Sequence, residues 1–411
     1  MFTNSNRQKF YRFSSVVWAP LIVVLILTYV KANEISKLGN NVLLSGNVVS
    51  EENSMLAARD WQQRGFWRHV ALPKYTMLSS GPWGDSPLDV YTHYPPGSEW
   101  TAYAMSQACG IERTGCWRMA PLALGLVAIG IFISSIFVLF ETWKAALISI
   151  ILLITPTTTH MLEGLGYESY AQSLLLLELS AVILWATSGR INHKYVLGCL
   201  FAISFTAGLY SLDYIVLMAA SPIVLALFLG LGRVYSLRLG ASAFAGFLSA
   251  NFLHFIQVVW FYGSFRTALA DFSESGMYRC CESMPDQPWG TYSDLKFFEI
   301  LNTHLTTNAF RASMFGFNLE YFFIVGGMIF MWPKPLGLQF TRNYRLKWSV
   351  SRTALPIAIG AFSVSSAWTL MFRQHSAVHI FTSRHFFFAY IMFILLVLEA
   401  IKVTPVEHST A

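Results

Sequence analysis

The chain has 411 residues, of which 55% are hydrophobic, 16% aromatic and 12% charged, with a mean hydropathy of +0.48. Soluble domains carry about 25% charged residues, so this composition excludes a disordered chain and most soluble enzymes, whereas lipid-facing surface needs no charge. The net charge of +6, from 28 Lys and Arg against 22 Asp and Glu, then marks a cytoplasmic face rather than a nucleic-acid partner.

About twenty consecutive apolar residues cross a bilayer as a helix. The first such run, from about Ser14 to Val30, follows Arg7, Lys9 and Arg12. No small-residue cleavage site stands behind it, so it reads as an anchor. Further runs lie near 119–140, 145–158, 169–188, 195–211, 213–231, 239–262, 320–333, 353–372 and 386–402. The predicted fold is an all-α polytopic membrane protein of about ten spans. With both termini cytoplasmic, the short inner loops receive Lys144, Arg190 with Lys194, Arg233 with Arg238, and the group Lys334, Arg342, Arg345, Lys347 and Arg352. Nearly all acids fall on the other side, which is the segregation that the positive-inside rule expects.

Two long outer segments follow from this topology, 32–118 and 263–319. Long loops in compact proteins are usually functional, so chemistry or binding is expected on the non-cytoplasmic face. Four of the five cysteines, Cys109, Cys116, Cys280 and Cys281, fall in these segments. Cys109 and Cys116 are close enough to close a small loop, and free thiols are the equal alternative.

The chain lacks a G-x-x-x-x-G-K-[ST] loop, a strand-borne G-x-G-x-x-G, an H-E-x-x-H helix and a G-x-S-x-G elbow, so nothing cradles a nucleotide phosphate. The first outer segment is patterned instead. It reads Glu51-Glu52, then Ala58-Arg59-Asp60-Trp61, Gly65-Phe66-Trp67 and, further on, Thr92-His93-Tyr94-Pro95-Pro96-Gly97. Residues 52–63 suit a helix lying in the membrane interface, with Leu56, Trp61 and Phe66 on its apolar side and Asp60 on its exposed polar side.

An acidic pair after the first span, an Ala-Arg helix ending in Gly, and His-x-Pro-Pro in that order resemble the GT-C membrane glycosyltransferases. The nearest branch comprises bacterial relatives of the protein O-mannosyltransferases and the lipid A aminoarabinose transferases. The resemblance is strongest over residues 15–190. It implies a GT-C-like architecture, with interfacial helices in the first outer loop. Residues 1–262 would be the transmembrane catalytic core, and 263–411 would complete the lipid-donor site. The implied reaction is inverting transfer of a sugar from a polyprenyl phosphate to a glycan, lipid or protein acceptor, at the outer face of a bacterial plasma membrane.

That chemistry needs a carboxylate base for the acceptor hydroxyl and cationic donors for the lipid phosphate that leaves. The resemblance places the family's acidic pair at Ser50-Glu51, or, with a shift of one residue, at Glu51-Glu52; Glu51 is the expected base and Glu52 the alternative. Some relatives carry Lys directly before the Pro pair, where this chain has Tyr94, and either His93 or Tyr94 could reach phosphate. Glu168, with Glu163 as the alternative, lies near a second acid of the family and could position the acceptor or share a divalent metal with Glu51. No cofactor is otherwise implied. The last outer loop gathers Arg373, His375, His379 and Arg384, a cationic group suited to an anionic lipid headgroup; the two histidines are also four apart, as in metal sites. Two other classes stay open, an O-antigen-type polymerase or ligase of lipid-linked glycans and a lipid or solute transporter, for which Glu178 and Asp213 would be the mid-span polar residues.

Overall fold

A computed structural model describes residues 20–35, 48–74, 90–154, 161–188, 191–280, 298–300, 337–341, 344–348, 353–372 and 384–405, with a few single positions between them. Helix α1 covers 20–35, and α2 (Val48–Arg64), α3 (Gly97–Cys109) and the single turn α4 (Thr114–Trp117) follow in the first outer segment. Then come α5 (Met119–Leu139), α6 (Thr142–Ile154), α7 (Tyr167–Ser188), α8 (His193–Tyr210), α9 (Ile215–Phe228), α10 (Arg233–Tyr262) and α11 (Phe265–Cys280). The chain continues with strands β1 (Gly337–Thr341) and β2 (Tyr344–Trp348), helices α12 (Ala354–Met371) and α13 (Phe386–Ala400), and strand β3 (Ile401–Pro405).

Among the described residues, four helices are long and apolar enough to cross a membrane: Thr114–Leu139, in which α4 runs on into α5, together with α7, α10 and α12. Three shorter apolar helices, Thr142–Leu152, α9 and α13, stand among them. The run at 320–333 lies outside the described residues. A helical membrane protein is therefore the architecture, with one addition that apolar periodicity does not show. The basic connector before α12 forms an antiparallel β1–β2 hairpin, and β2 pairs in turn with β3, Tyr344 opposite Pro405 and Trp348 opposite Ile401. The last span consequently stops at Ala400 rather than 402. The pairing also brings the two ends of the α12–α13 unit to one side.

One apolar core runs from Val23 in α1 to Leu398 in α13 and includes residues on both sides of position 262, with α9 packed on α12. The most extensive helix pair is α8 against α10. Small residues explain it. A Cβ on Gly246 would stand 2.2 Å from the Phe201 carbonyl oxygen, and one on Gly208 would stand 2.8 Å from that of Phe247. Backbones that approach this closely gain dispersion contact that no larger residue permits. Gly198 of α8, by contrast, faces open space.

The outer segment departs from expectation in one respect. The apolar side of helix α2 is turned into the protein: Met55 and Ala58 pack with Ala102, Trp117 and Leu165, and Leu56, Ala57 and Trp61 pack with Phe66, Tyr91, Trp100 and Tyr103. Asp60 is accordingly buried and faces Arg64 at 3.3 Å instead of solvent. Helix α3 covers α2. It starts directly after Pro95-Pro96, where fixed φ angles favour a helix start, and a Cβ on Gly97 would meet the Leu209 carbonyl oxygen at 2.4 Å. The Pro-Pro-Gly sequence thus delivers the start of α3 onto the end of α8. Of the two alternatives for Cys109 and Cys116, the disulfide is the one formed, and it closes the turn between α3 and α4. Cys281 lies outside the described residues.

Replacing Gly246 by Ala should force α8 and α10 apart and cost about 1–3 kcal/mol, whereas Gly198→Ala should be neutral or slightly stabilising. Thermal unfolding of the two variants in the same detergent checks this. Equal midpoints would contradict the close approach.

Candidate functional site

The polar residues gather at one end of the helix bundle, formed by the end of α1, the starts of α5 and α7, the α8–α9 connection, the end of α10 and the start of α13. Its floor is ionic. Both nitrogens of the Arg118 guanidinium fork donate to Glu51, Nη1 to Oε1 at 3.1 Å and Nη2 to Oε2 at 3.0 Å. The Leu165 amide donates to Glu51 Oε1 at 3.1 Å, and Arg118 also donates to the Glu163 carbonyl. The side chain of Glu51 is 0% exposed and that of Arg118 1%. Lys31 extends the network from α1 to the Glu163 carboxylate at 2.9 Å. The expected base, Glu51, therefore sits closed from solvent with both oxygens on Arg118. Glu52, its neighbour, is exposed.

Above this floor runs the Tyr91-Thr92-His93-Tyr94 segment, in which each polar side chain has a partner from another element. The Tyr94 hydroxyl donates to Asp213 Oδ1 at 2.7 Å, and the Tyr167 hydroxyl reaches Oδ2 of the same carboxylate at 3.2 Å. The rings of Tyr91, Tyr94 and Tyr167 stack in sequence, with centroids 6.1 and 5.7 Å apart. Thr92 donates to Asp271 Oδ2 at 2.6 Å, and His93 Nε2 lies 3.1 Å from Asp271 Oδ1. Burial works to raise the Asp271 pKa, but the hydrogen bonds from His93 and Thr92 and the His93 charge outweigh it and hold the carboxyl below its ordinary value. His254 of α10 lies 2.8 Å from the Thr92 carbonyl through Nε2, and Gln257, one turn later, donates to the Val70 carbonyl at 2.6 Å.

The segment leans on a strained turn. Val70 and Ala71 both take left-handed backbone, φ 56° and 58°, which for a β-branched residue is a true outlier. The cost is about 1–3 kcal/mol each. Three side chains hold the turn in place: Gln257 on the carbonyl of Val70, Trp100 on that of Ala71 at 2.8 Å and Trp61 on that of Leu72 at 3.2 Å.

Glu168 is buried in the first turn of α7, beside the Ser50 hydroxyl that abuts Gly166, and so close to the Glu51 turn. Arg384 and His385 are buried at the start of α13, and the His385 ring stands edge-on to Tyr214 at 4.8 Å and to Trp368 at 6.3 Å. The Tyr214 phenol feels the charges of Glu168, Arg384 and Asp213. Tyr214 and the Gln172 amide nitrogen are both buried and neighbouring, and neither makes an aligned hydrogen bond among the described residues. Arg384 has no ion pair or hydrogen bond among them either. Arg373, His375 and His379 lie outside the described residues. Within the described part, no three His, Cys, Asp or Glu side chains stand close enough together to hold a metal ion.

The structure thus joins His93, Tyr94 and Glu168 to one end of the bundle and adds Arg118, Asp271, His254 and Tyr167, which sequence reasoning did not single out. Arg118 had a signal: it is a buried cation at the acid-rich end of a span, where charge segregation predicts none. Asp271 had none, because it pairs with His93 across 178 positions. No protein family, curated protein or solved structure gives a significant match to the chain.

Two outcomes follow. Glu51→Ala strands a buried guanidinium and should destabilise the chain by about 3–5 kcal/mol, whereas Glu52→Ala should stay within about 0.5 kcal/mol; chemical unfolding of both in detergent separates them. For Asp271, a folded pKa below the unfolded value means that its contribution is complete above about pH 4 and is lost as pH falls through the folded value. Asp271→Asn should therefore be less sensitive than the parent to acid below about pH 4, read as the pH dependence of the unfolding midpoint.

Proposed function

We propose that the chain is an inverting glycosyltransferase that moves a sugar from a polyprenyl-phosphate donor to an acceptor at the non-cytoplasmic membrane face. One observation carries the reading: a buried cation beside neutral donors at the start of α13. Arg384 is 92% buried, its exposure being 8%, and it has no anionic partner among the described residues. The buried Tyr214 hydroxyl and Gln172 amide lie in the same neighbourhood. A guanidinium stays charged at any accessible pH, and its burial is costly without an anion. A phosphate that enters from the lipid side supplies that anion, and its prenyl chain lies among the apolar helices. As the anomeric carbon–oxygen bond breaks, negative charge grows on the departing phosphate, where these donors stabilise it.

The remaining geometry suits this division of work. The stacked tyrosines beside Asp213 offer a face for a sugar ring. The Glu51–Arg118 pair acts as a support: it fixes α2 and the 161–166 segment against α5. A transporter reading would rest on Glu178, which is fully buried in α7. Its carboxyl is taken by Ser204 at 2.9 Å and Ser221 at 3.5 Å, an arrangement that favours joining three helices over passing a substrate.

The test is transfer of labelled sugar from a panel of polyprenyl-phosphate hexoses and pentoses to host membranes by the purified chain in vesicles. Transfer by the parent, with a donor KM raised at least about tenfold in Arg384→Gln (the loss of one charge-assisted contact), supports the reading. No transfer from any donor, or an unchanged KM in the folded variant, overturns it.

A further inference from the structure

We infer that His93, oriented by Asp271, is the general base that takes the proton of the acceptor hydroxyl. This assignment rests on the glycosyltransferase reading. Its basis is a pair of segments distant in sequence, the loop before Pro95 and the first part of α11, brought together at the open edge of the site.

The tautomer follows from the partner. An ionised carboxylate only accepts, so the proton shared at 3.1 Å with Asp271 Oδ1 belongs to His93 Nε2. In the neutral ring the lone pair is then on Nδ1, which makes no hydrogen bond among the described residues. The His93 side chain is 34% exposed, against 0% for Glu51, so of these two groups only the imidazole can meet a substrate hydroxyl without opening a buried ion pair. Asp271 is itself fixed. Its second oxygen accepts from Thr92 at 2.6 Å, and the Thr92 carbonyl is held by His254. The Tyr91 ring stands edge-on to the imidazole at 5.5 Å and limits its rotation. A carboxylate that sets the tautomer, an imidazole with a bare nitrogen, and a backbone anchored by a second element are the parts that general-base catalysis requires.

In the step, the acceptor O–H gives its proton to Nδ1 while its oxygen forms the new bond to the anomeric carbon. The bond from that carbon to the phosphate oxygen breaks, and its electron pair leaves with polyprenyl phosphate. The imidazolium, opposite the Asp271 carboxylate, then returns its proton to water. Asp271 is a positioning residue: it does not touch the acceptor, and it acts by holding the ring in one tautomer and orientation.

The experiment uses the full chain in vesicles with the donor panel and host membranes described above. His93→Gly should lower kcat by about 10²–10⁴-fold with donor KM unchanged, and added imidazole should restore part of the rate, which also shows that the variant is folded. Asp271→Asn should lower kcat and not KM, and the double variant should be no slower than His93→Gly alone, since both act on one proton transfer. A kcat within about twofold of the parent in His93→Gly, by the scale of that same expectation, overturns the assignment while the glycosyltransferase reading stands. So does a loss that appears in KM alone, or one that imidazole does not relieve in protein that still binds donor. Absence of transfer by the parent overturns both.

Discussion

A buried guanidinium cannot shed its charge, and that constraint organises the polar end of this protein. Arg118 stands at the start of α5 inside the packed structure and donates to two carboxylate oxygens and a carbonyl. Glu51 from α2 supplies the first two, and residue 163, between α6 and α7, supplies the third. Three segments far apart in sequence are thereby placed to within hydrogen-bond tolerance of one another. Because half-satisfied buried ions are so unfavourable, the arrangement permits few alternatives: α2 must lie under α3, and α7 must begin where it does. Gly166, pressed against Ser50 and Glu168, and Tyr167, directed to Asp213, follow from that placement.

On this rigid floor the edge of the site is built differently. The segment from Tyr91 to Tyr94 has little core of its own and is held by side chains reaching in from α7, α10 and α11. Its geometry is fixed by hydrogen bonds to Asp213, Asp271 and His254 rather than by packing, which leaves His93 open to one side. Under the proposed function, a closed ionic base beneath an open aromatic and imidazole rim separates what must not move from what must meet a substrate. The opposed strain at Val70 and Ala71, held by Gln257, Trp100 and Trp61, shows how closely this rim is tied to both α3 and α10.

Much of the helical frame is legible from composition, since a continuous apolar run must satisfy its backbone internally and so becomes a helix. The described helices fall on the runs near 14–30, 119–140, 145–158, 169–188, 195–211, 213–231, 239–262, 353–372 and 386–402, with their ends shifted by a few residues. Helix α3 escapes this logic because its residues are half polar and its stability comes from covering α2. The β1–β2–β3 sheet escapes it because β-pairing between residues 344 and 405 has no local period. At the site, the Thr-His-Tyr-Pro-Pro segment stands out by its residue types, but its partners do not: Asp271 looks like any loop acid, and Asp60, which looks exposed, is covered by tertiary packing. The acid pair illustrates the same limit. Glu51 and Glu52 are chemically equal in sequence, and a helix rotation of about 100° per residue places one against Arg118 and the other in solvent.

The three-stranded sheet has a mechanical consequence. It clasps the chain immediately before α12 to the chain immediately after α13, so these two helices share a fixed joint at one end. Arg384 lies at the other end of α13, a helix of 15 residues and so about 22 Å away. The Ala389 amide donates a hydrogen bond to Ser365 of α12 at 3.1 Å, so the two helices are also joined along their length. By lever geometry any tilt about the clasp displaces the Arg384 end more than the packing near the sheet. Under the proposed function, a long prenyl chain needs a side entrance between helices, and a helix pair pinned at its far end is the side of the bundle that suits one.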